Sequence, residues 1–181
     1  MNESCVDCQS SQSIAQVASE PRAVLAARAG CAMEKSIHRC AESHDQNLGR
    51  LEVQVARDAQ ELLRAAVERG AQAKADGAPP LCPVCRQKLT RLSEGHPRTF
   101  QTRYGAITVK RTRGYCKGCR KWRVPGDTAL GLEESAGHSP SVQEMAALLA
   151  SKMPVAEASA VFEHLTGMKM PRATLDRQAR R

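Results

Sequence analysis

The chain is poor in aromatic residues and has no long apolar run. Its 181 residues include two Phe, two Tyr and one Trp, so we expect Ala, Leu and Val to supply most of the core. No segment approaches the about 18 consecutive apolar residues that a transmembrane helix needs. The N-terminal MNESCVDCQSSQS has neither a basic leader nor an apolar run. We therefore expect no signal peptide, no membrane partner and a cytoplasmic location.

Four of the eight cysteines form two Cys-x-x-Cys pairs, Cys82 with Cys85 and Cys116 with Cys119. Because the cytosol keeps thiols reduced, metal binding is favoured over disulfides. Two residues between cysteines form a tight turn in which both thiolates reach one ion at about 2.3 Å. Four thiolates close the coordination sphere, which indicates one structural Zn2+ rather than an open catalytic site.

Two other uses of these cysteines compete with zinc. A redox dithiol needs only one pair, and no thioredoxin-like βαβ pattern surrounds either pair. A rubredoxin-like iron site has the same ligand set, but a redox role gives no purpose to the positive charge of this segment. Zinc is the interpretation that fits both the spacing and the charge.

The run RTFQTRYGAITVKRTRGY lies between the two pairs and alternates with a period of two residues on either side of Tyr104-Gly105-Ala106. This pattern predicts a β-hairpin that brings the second cysteine turn to face the first. We interpret residues 80–126 as a zinc ribbon in which metal ligation supplies folding energy of order 10 kcal/mol.

The positive charge of the chain is concentrated in this segment. From Cys82 to Trp122 there are eleven Lys and Arg against the single acid Glu94, a net charge of +10, whereas the whole chain has +8. Such a patch is typical of nucleic-acid binding, since it neutralises phosphates, although a basic face that only aids solubility has the same composition. Tyr104, Tyr115 and Trp122 are expected to wrap the zinc site as its core, with stacking on bases as the alternative. The predicted DNA contacts in the ribbon are Arg98, Arg103, Lys110, Arg111, Arg113, Lys117, Arg120, Lys121 and Arg123.

The N-terminal part is expected to contain a poorly ordered leader, residues 1–44, followed by an amphipathic helix, residues 45–76. The leader has breakers at Pro21 and Gly30, and we interpret its Cys5, Cys8, Cys31 and Cys40 as reduced thiols, with a second zinc site as the alternative. In the helix, apolar residues recur at steps of three and four. The stripe favours packing within the domain over a coil that binds a second copy of the chain. Its members are Leu48, Leu51, Val55, Ala59, Leu62 and Ala66.

Residues 138–181 have the pattern of three helical segments. Ser141 and Glu144 form a capping box before the first, Pro154 opens the second, and Gly167 ends it. A helix, a short turn with Gly and a further helix is typical of a helix-turn-helix, and a generic three-helix bundle is the alternative. The last segment would be the recognition helix. Its predicted DNA contacts are Arg172, Thr174, Arg177 and Arg180.

The runs CPVC, PRTFQTRYGAITVKRTRGYCKGCRKW, ALGL, MAALLASKMPVAEASAVFEHLTG and PRATLDR, in this order, resemble the N-terminal half of ISKra-type insertion-sequence transposases. The resemblance covers residues 48–181 and leaves residues 1–47 unmatched. Members often have Gly directly after the CPxC pair, where this chain has Arg86, and Arg120 follows the second pair. The resemblance implies a DNA-recognition module ahead of an RNase H-like domain, in which three carboxylates hold two divalent metal ions.

These observations lead to one expected fold and two expected functions. The fold is α+β and mostly helical, with a long N-terminal helix, a four-cysteine zinc-ribbon hairpin and a C-terminal three-helix helix-turn-helix. Since the sequence ends at Arg181 directly after that unit, we expect a truncated, non-enzymatic bacterial transposase that binds double-stranded transposon ends in the nucleoid. The alternative is a standalone DNA-binding transcriptional regulator.

Overall fold

The computed structural model describes residues 22–42, 47–133 and 137–179. The expected α+β class is confirmed, because the described residues combine several helices with one small antiparallel sheet of three strands in the order β1-β2-β3. The chain divides into two compact units, Met1–Ala59 and Gln60–Arg181. In chain order the elements are α1 Arg22–Glu42, α2 Leu48–Asp76, β1 Thr90–Thr102, β2 Gly105–Cys116, β3 Lys121–Arg123, α3 Pro125–Ala129, α4 Pro140–Lys152, α5 Val155–Thr166 and α6 Arg172–Ala179.

The first unit differs from the expected poorly ordered leader. Residues Arg22–Glu42 form one helix that runs through Gly30 without a break. Ala, Leu and Arg around that glycine are strong helix formers, and their preference outweighs the about 1 kcal/mol that one interior Gly costs. Within this unit Arg39 forms an ion pair with Asp58 at 2.8 Å. The prediction for residues 1–21 and 43–44 lies outside the described residues.

The predicted amphipathic helix is confirmed as α2, which begins at Leu48 rather than at residue 45. Asn47 caps it, since its side-chain oxygen accepts the Arg50 backbone N–H at 3.1 Å. The buried face differs from the predicted stripe: Leu48 is 72% exposed, whereas Ala65 is buried. The reason is tertiary, because the hairpin packs on the face that carries Val67, Ala71 and Ala75.

The hairpin between the cysteine pairs is confirmed, with its turn one residue earlier than predicted. Thr102 pairs with Gly105, so Arg103 and Tyr104 form a two-residue turn. Gly105 has φ +117°, a conformation that side-chain-bearing residues rarely adopt. Phe100, Ile107 and Val109 lie on one face of the hairpin and form the core beneath it.

Both long edges of the hairpin are covered. On the β2 side, the Glu68 carboxylate of α2 accepts the Thr108 backbone N–H at 2.7 Å. On the β1 side, Gln101 pairs with the chain that leads into α4: its N–H donates to the Gly137 carbonyl at 2.9 Å, and its carbonyl accepts the Ser139 N–H at 2.8 Å. Covered edges leave few backbone groups for pairing with another chain.

The three C-terminal helices form a core of their own. Ser139, rather than the predicted Ser141, is the N-cap of α4, and its side-chain oxygen accepts the Val142 N–H at 3.4 Å. Pro140 directly after it suits the first helical position. Gly167 ends α5 with φ +66°, as predicted. The buried residues of this core are Val142, Ala146, Phe162, Met170 and Leu175.

No helix in the described ranges has the length and apolar character required to cross a membrane.

Candidate metal centre and nucleic-acid interface

The four predicted ligands are brought together at the base of the hairpin. The Sγ atoms of Cys82, Cys85, Cys116 and Cys119 all lie within 4.8 Å of one another. Two of the distances are 3.8 Å, between Cys82 and Cys119, and 3.3 Å, between Cys85 and Cys116. A tetrahedral ion with metal–sulfur bonds of about 2.3 Å has sulfurs about 3.8 Å apart. The cluster therefore fits a four-coordinate metal ion.

Local backbone hydrogen bonds form the two turns that present these sulfurs. In the first turn the Arg86 N–H donates to the Cys82 carbonyl at 2.9 Å, and the Cys82 N–H donates to the Gln87 carbonyl at 2.8 Å. In the second, the Cys119 N–H points to the Cys116 sulfur at 3.4 Å. Cys82 and Cys116 are fully buried beside Leu89, whereas Cys85 is exposed.

The environment separates the pKa values of the thiols. The Cys85 backbone N–H and then that of Val84 stabilise the Cys82 thiolate and lower its pKa to about 6. Hydrogen bonding to the Cys85 and Cys82 sulfurs, together with burial, raises the pKa of Cys119 to about 12. The Gln87 N–H lowers the pKa of Cys85, but the Cys116 thiol and burial outweigh it, so the net shift is upward. Cys82 is thus ionised first, and a metal ion must displace protons from Cys85 and Cys119.

An arginine in the left-handed conformation follows each cysteine pair. Arg86 has φ +62° and Arg120 has φ +53°. Gly adopts this conformation without steric cost, whereas other residues lose about 1–2 kcal/mol in it. In the first turn, this conformation is adopted by Arg86 at the position where the resembled family often has glycine.

Eight of the predicted DNA contacts are exposed. Six lie on the hairpin and the second cysteine turn, and two lie on α6. Thr174 is half-buried, and Arg180 lies outside the described residues. The exposed ones are Arg103, Lys110, Arg113, Lys117, Arg120, Lys121, Arg172 and Arg177.

The remaining three predicted contacts, Arg98, Arg111 and Arg123, are half-buried. The first two donate to the same Oδ2 atom of Asp127 on α3, at 2.9 and 2.6 Å. Arg98 and Arg111 each lie two residues from a core residue of the hairpin, on the same face of their strand, which turns them inward. Sequence reasoning missed Asp127, because the two arginines lie 29 and 16 residues away along the chain.

The expectation that the aromatic residues wrap the metal site is wrong for Trp122, which is 47% exposed. Its ring meets the Tyr115 ring edge-on at 5.7 Å, and the Arg113 guanidinium lies 5.0 Å from its centre. Leu89, an aliphatic residue, covers the cysteines instead. The indole is thus presented to solvent beside a cation.

Comparison with known proteins gives one similarity over part of the chain. The chain is 40% identical over 72 residues to the "UPF0236 protein in vanSb 3'region" of Streptococcus gallolyticus, a match that covers 40% of this chain and 16% of that protein. The chain thus matches about a sixth of the length of this relative. No family model matches the chain. No solved structure matches it either.

The other cysteines form no second metal-binding cluster in the part of the chain that the structure describes. Within that part, the only group of three or more candidate ligands consists of Cys82, Cys85, Cys116 and Cys119. Cys31 is half-buried in α1. Cys5 and Cys8 lie outside the described residues, and the side chain of Cys40 is likewise not described.

Proposed function

We propose that the chain is the DNA-binding portion of an ISKra-type transposase, in which a zinc ribbon and a helix-turn-helix bind the ends of the element. The single observation that supports this most strongly is the position of the charge. Exposed cations concentrate on a hairpin that has a four-cysteine cluster at its base. Such charges repel one another unless a polyanion is present.

Zinc is the proposed metal, because four thiolates in tetrahedral array form a closed structural site. Cys82, Cys85, Cys116 and Cys119 would hold it. Its role there would be structural, since it would neutralise the thiolates and hold both cysteine turns, the second of which carries Lys117 and Arg120. Removing the metal would unfold the ribbon and abolish DNA binding.

The C-terminal helices supply the second proposed contact surface. Leu175 is fully buried and anchors α6 against α4 and α5. Arg172, at the first position of α6, and Arg177 both point to solvent. In a helix-turn-helix, N-terminal residues of the second helix contact base edges while later cations contact phosphates. We assign Arg172 to the first role and Arg177 to the second.

Binding of this kind depends steeply on salt. If all eight exposed cations neutralise phosphates, the slope of log K against log salt concentration is about −7. Removal of one phosphate contact, as in Lys121→Ala, reduces the magnitude of the slope by about 0.9.

Binding, without strand cleavage, is the activity that we propose for these residues. Helix α2 is the proposed surface for a second copy or an intact transposase.

The test is selection of binding sites from a randomised 30-base-pair library by the zinc-loaded full chain. Enrichment of a sequence that also occurs in inverted repeats bordering the gene supports transposon-end recognition. Enrichment of a sequence from a promoter would instead support the regulator. If no sequence is enriched and the binding is unchanged after a chelator removes zinc, the proposal is wrong.

A further inference from the structure

A cleft of about 750 Å³ lies beside Trp122, between the cysteine end of the sheet and α3. Its volume falls in the range of about 300–1,000 Å³ that is typical of sites for small organic ligands. Four arginines line it against two carboxylates, so its charge is positive. These charged residues are Arg98, Arg111, Arg113, Arg123, Asp127 and Glu133.

Trp122 provides this cleft with a preformed stacking surface. The Tyr115 ring supports the indole edge-on, and the two residues are paired directly across β2 and β3. An aromatic ring held in this way loses little conformational entropy when a flat ligand stacks on it. Because every nucleobase has a π-face, stacking on the indole accepts any base.

The cations of the cleft have two different roles. Asp127 orients Arg98 and Arg111 through hydrogen bonds of 2.9 and 2.6 Å. Arg113 is exposed, lies over Trp122, and has no carboxylate within ion-pair distance among the described residues. It can therefore bind a phosphate next to a base stacked on the indole. An aromatic platform with an adjacent cation is the combination that binds a single strand.

We propose that this cleft binds an unpaired nucleotide of a DNA strand, with the base on Trp122 and the phosphate on Arg113. A paired base has both faces covered inside the duplex, so only a single-stranded or flipped-out nucleotide offers a face to the indole. The inference rests on the proposed DNA-binding function and adds the class of DNA that this part of the surface takes. It requires strand ends, gaps or melted segments rather than continuous duplex.

The chain contains one Trp, so its intrinsic fluorescence reports on the cleft directly. We would titrate the zinc-loaded full chain with a ten-residue oligothymidylate, with a blunt duplex and with thymidine monophosphate. We expect the oligothymidylate to quench Trp122 emission, and the blunt duplex to bind, by anisotropy of a labelled strand, without comparable quenching. Arg113→Ala should weaken oligothymidylate binding several-fold, whereas Lys152→Ala, a matched removal of an exposed cation on α4, should not.

Anisotropy of labelled DNA measures the variants that lack the fluorophore. Trp122→Leu should weaken oligothymidylate binding about 10-fold or more, the equivalent of at least one lost stacking interaction, and change blunt-duplex binding less than two-fold. Trp122→Phe should retain most of the affinity. Zinc content and the thermal midpoint confirm that each variant is folded, and Arg113→Ala answers the question with the native indole if Trp122→Leu does not fold.

The outcomes separate this inference from the proposed function. Tight duplex binding with no quenching by oligothymidylate overturns the inference and leaves the proposed function standing. Quenching by oligothymidylate without duplex binding supports the inference and contradicts the duplex-binding function. Equal quenching by the monophosphate at the same nucleotide concentration would show a free-nucleotide pocket and overturn the assignment to a DNA strand.

Discussion

The side-chain amide of Gln72 forms hydrogen bonds to both backbone groups of Lys110. Its Oε1 accepts the Lys110 N–H at 2.8 Å, and its Nε2 donates to the Lys110 carbonyl at 2.8 Å. A glutamine on α2 thus takes the place of a neighbouring strand along the part of β2 that β3 does not reach. One turn earlier, Glu68 accepts the Thr108 N–H in the same way.

Substitution of Gln72 by Ala removes both bonds and should lower the free energy of unfolding by about 1–2 kcal/mol, since each hydrogen bond contributes about 0.5–1.5 kcal/mol. Gln72→Glu should recover only part of this loss, because it keeps an acceptor and loses the donor. Urea denaturation of the zinc-loaded chain measures the change. Lys74→Ala, an exposed position on the same helix, is the control, and equal effects of Gln72→Ala and Lys74→Ala would contradict the pairing.

Asp127 forms ion pairs with two arginines. Its replacement should lower the free energy of unfolding far more than the loss of a surface ion pair. The side chains of Asp127, Arg111 and Arg98 are 8%, 14% and 18% exposed. Asp127→Asn removes the carboxylate that both guanidinium groups share, which should destabilise the fold by about 3 kcal/mol. Glu163→Gln is the matched control, because it breaks an exposed pair with Lys169 at 3.9 Å that is worth less than about 1 kcal/mol. Differential scanning calorimetry distinguishes the two effects.

Zinc binding should release protons, and more of them in acid. At pH 7.5 the Cys82 thiol, whose pKa is lowered to about 6, is already ionised, whereas Cys119, with a pKa raised to about 12, still holds its proton. Cys85 also has a raised pKa and must lose a proton to bind. Apparent zinc affinity therefore rises with pH through the neutral range and falls more steeply below pH 6, where Cys82 is protonated too. Calorimetric titration in buffers of different ionisation enthalpy counts the protons, and a count of zero at pH 7.5 would contradict this ligand set.

Substitution of Arg120, the left-handed arginine after the second cysteine pair, should show a trade between stability and DNA binding. Arg120→Gly relieves the steric cost of its positive φ, offset by the backbone entropy of Gly, and should raise the free energy of unfolding by up to about 1 kcal/mol. It also removes a cation from the proposed DNA surface and should weaken DNA binding several-fold. Arg120→Lys keeps the charge and the strain, so it should leave both quantities nearly unchanged. A gain of DNA affinity in Arg120→Gly would refute the trade.

Features that depend on neighbouring residues could be predicted from the sequence, whereas contacts between distant residues could not. The cluster of Cys82, Cys85, Cys116 and Cys119 was predictable, because each turn is local and an alternating run connects them. The end of α5 at Gly167 was equally local. The buried face of α2 and the pairing of Asp127 with Arg98 and Arg111 were not predictable, because they depend on which distant element packs against each residue.

The exposure of Trp122 could not be predicted from the sequence either. The aromatic residues were expected to wrap the metal site, yet Leu89 packs against Cys82 and Cys116 and the indole lies at the surface. A period-two pattern places a residue on a face of a strand but does not say whether another element covers that face. Beside the short β3, α3 leaves a cleft rather than a packed interface.

The bridge of Gln101 to the chain around His138 has a consequence for the spacing within the proposed DNA site. Because the backbone of β1 is joined there to the segment that leads into α4, we expect the hairpin cations and those of α6 to keep a constant separation in the proposed complex. The proposed DNA site should then have its two contacted stretches at one defined spacing. Insertion of five base pairs between them rotates one stretch to the far side of the helix, since a turn takes about 10–10.5 base pairs, and should reduce binding to that of one surface alone.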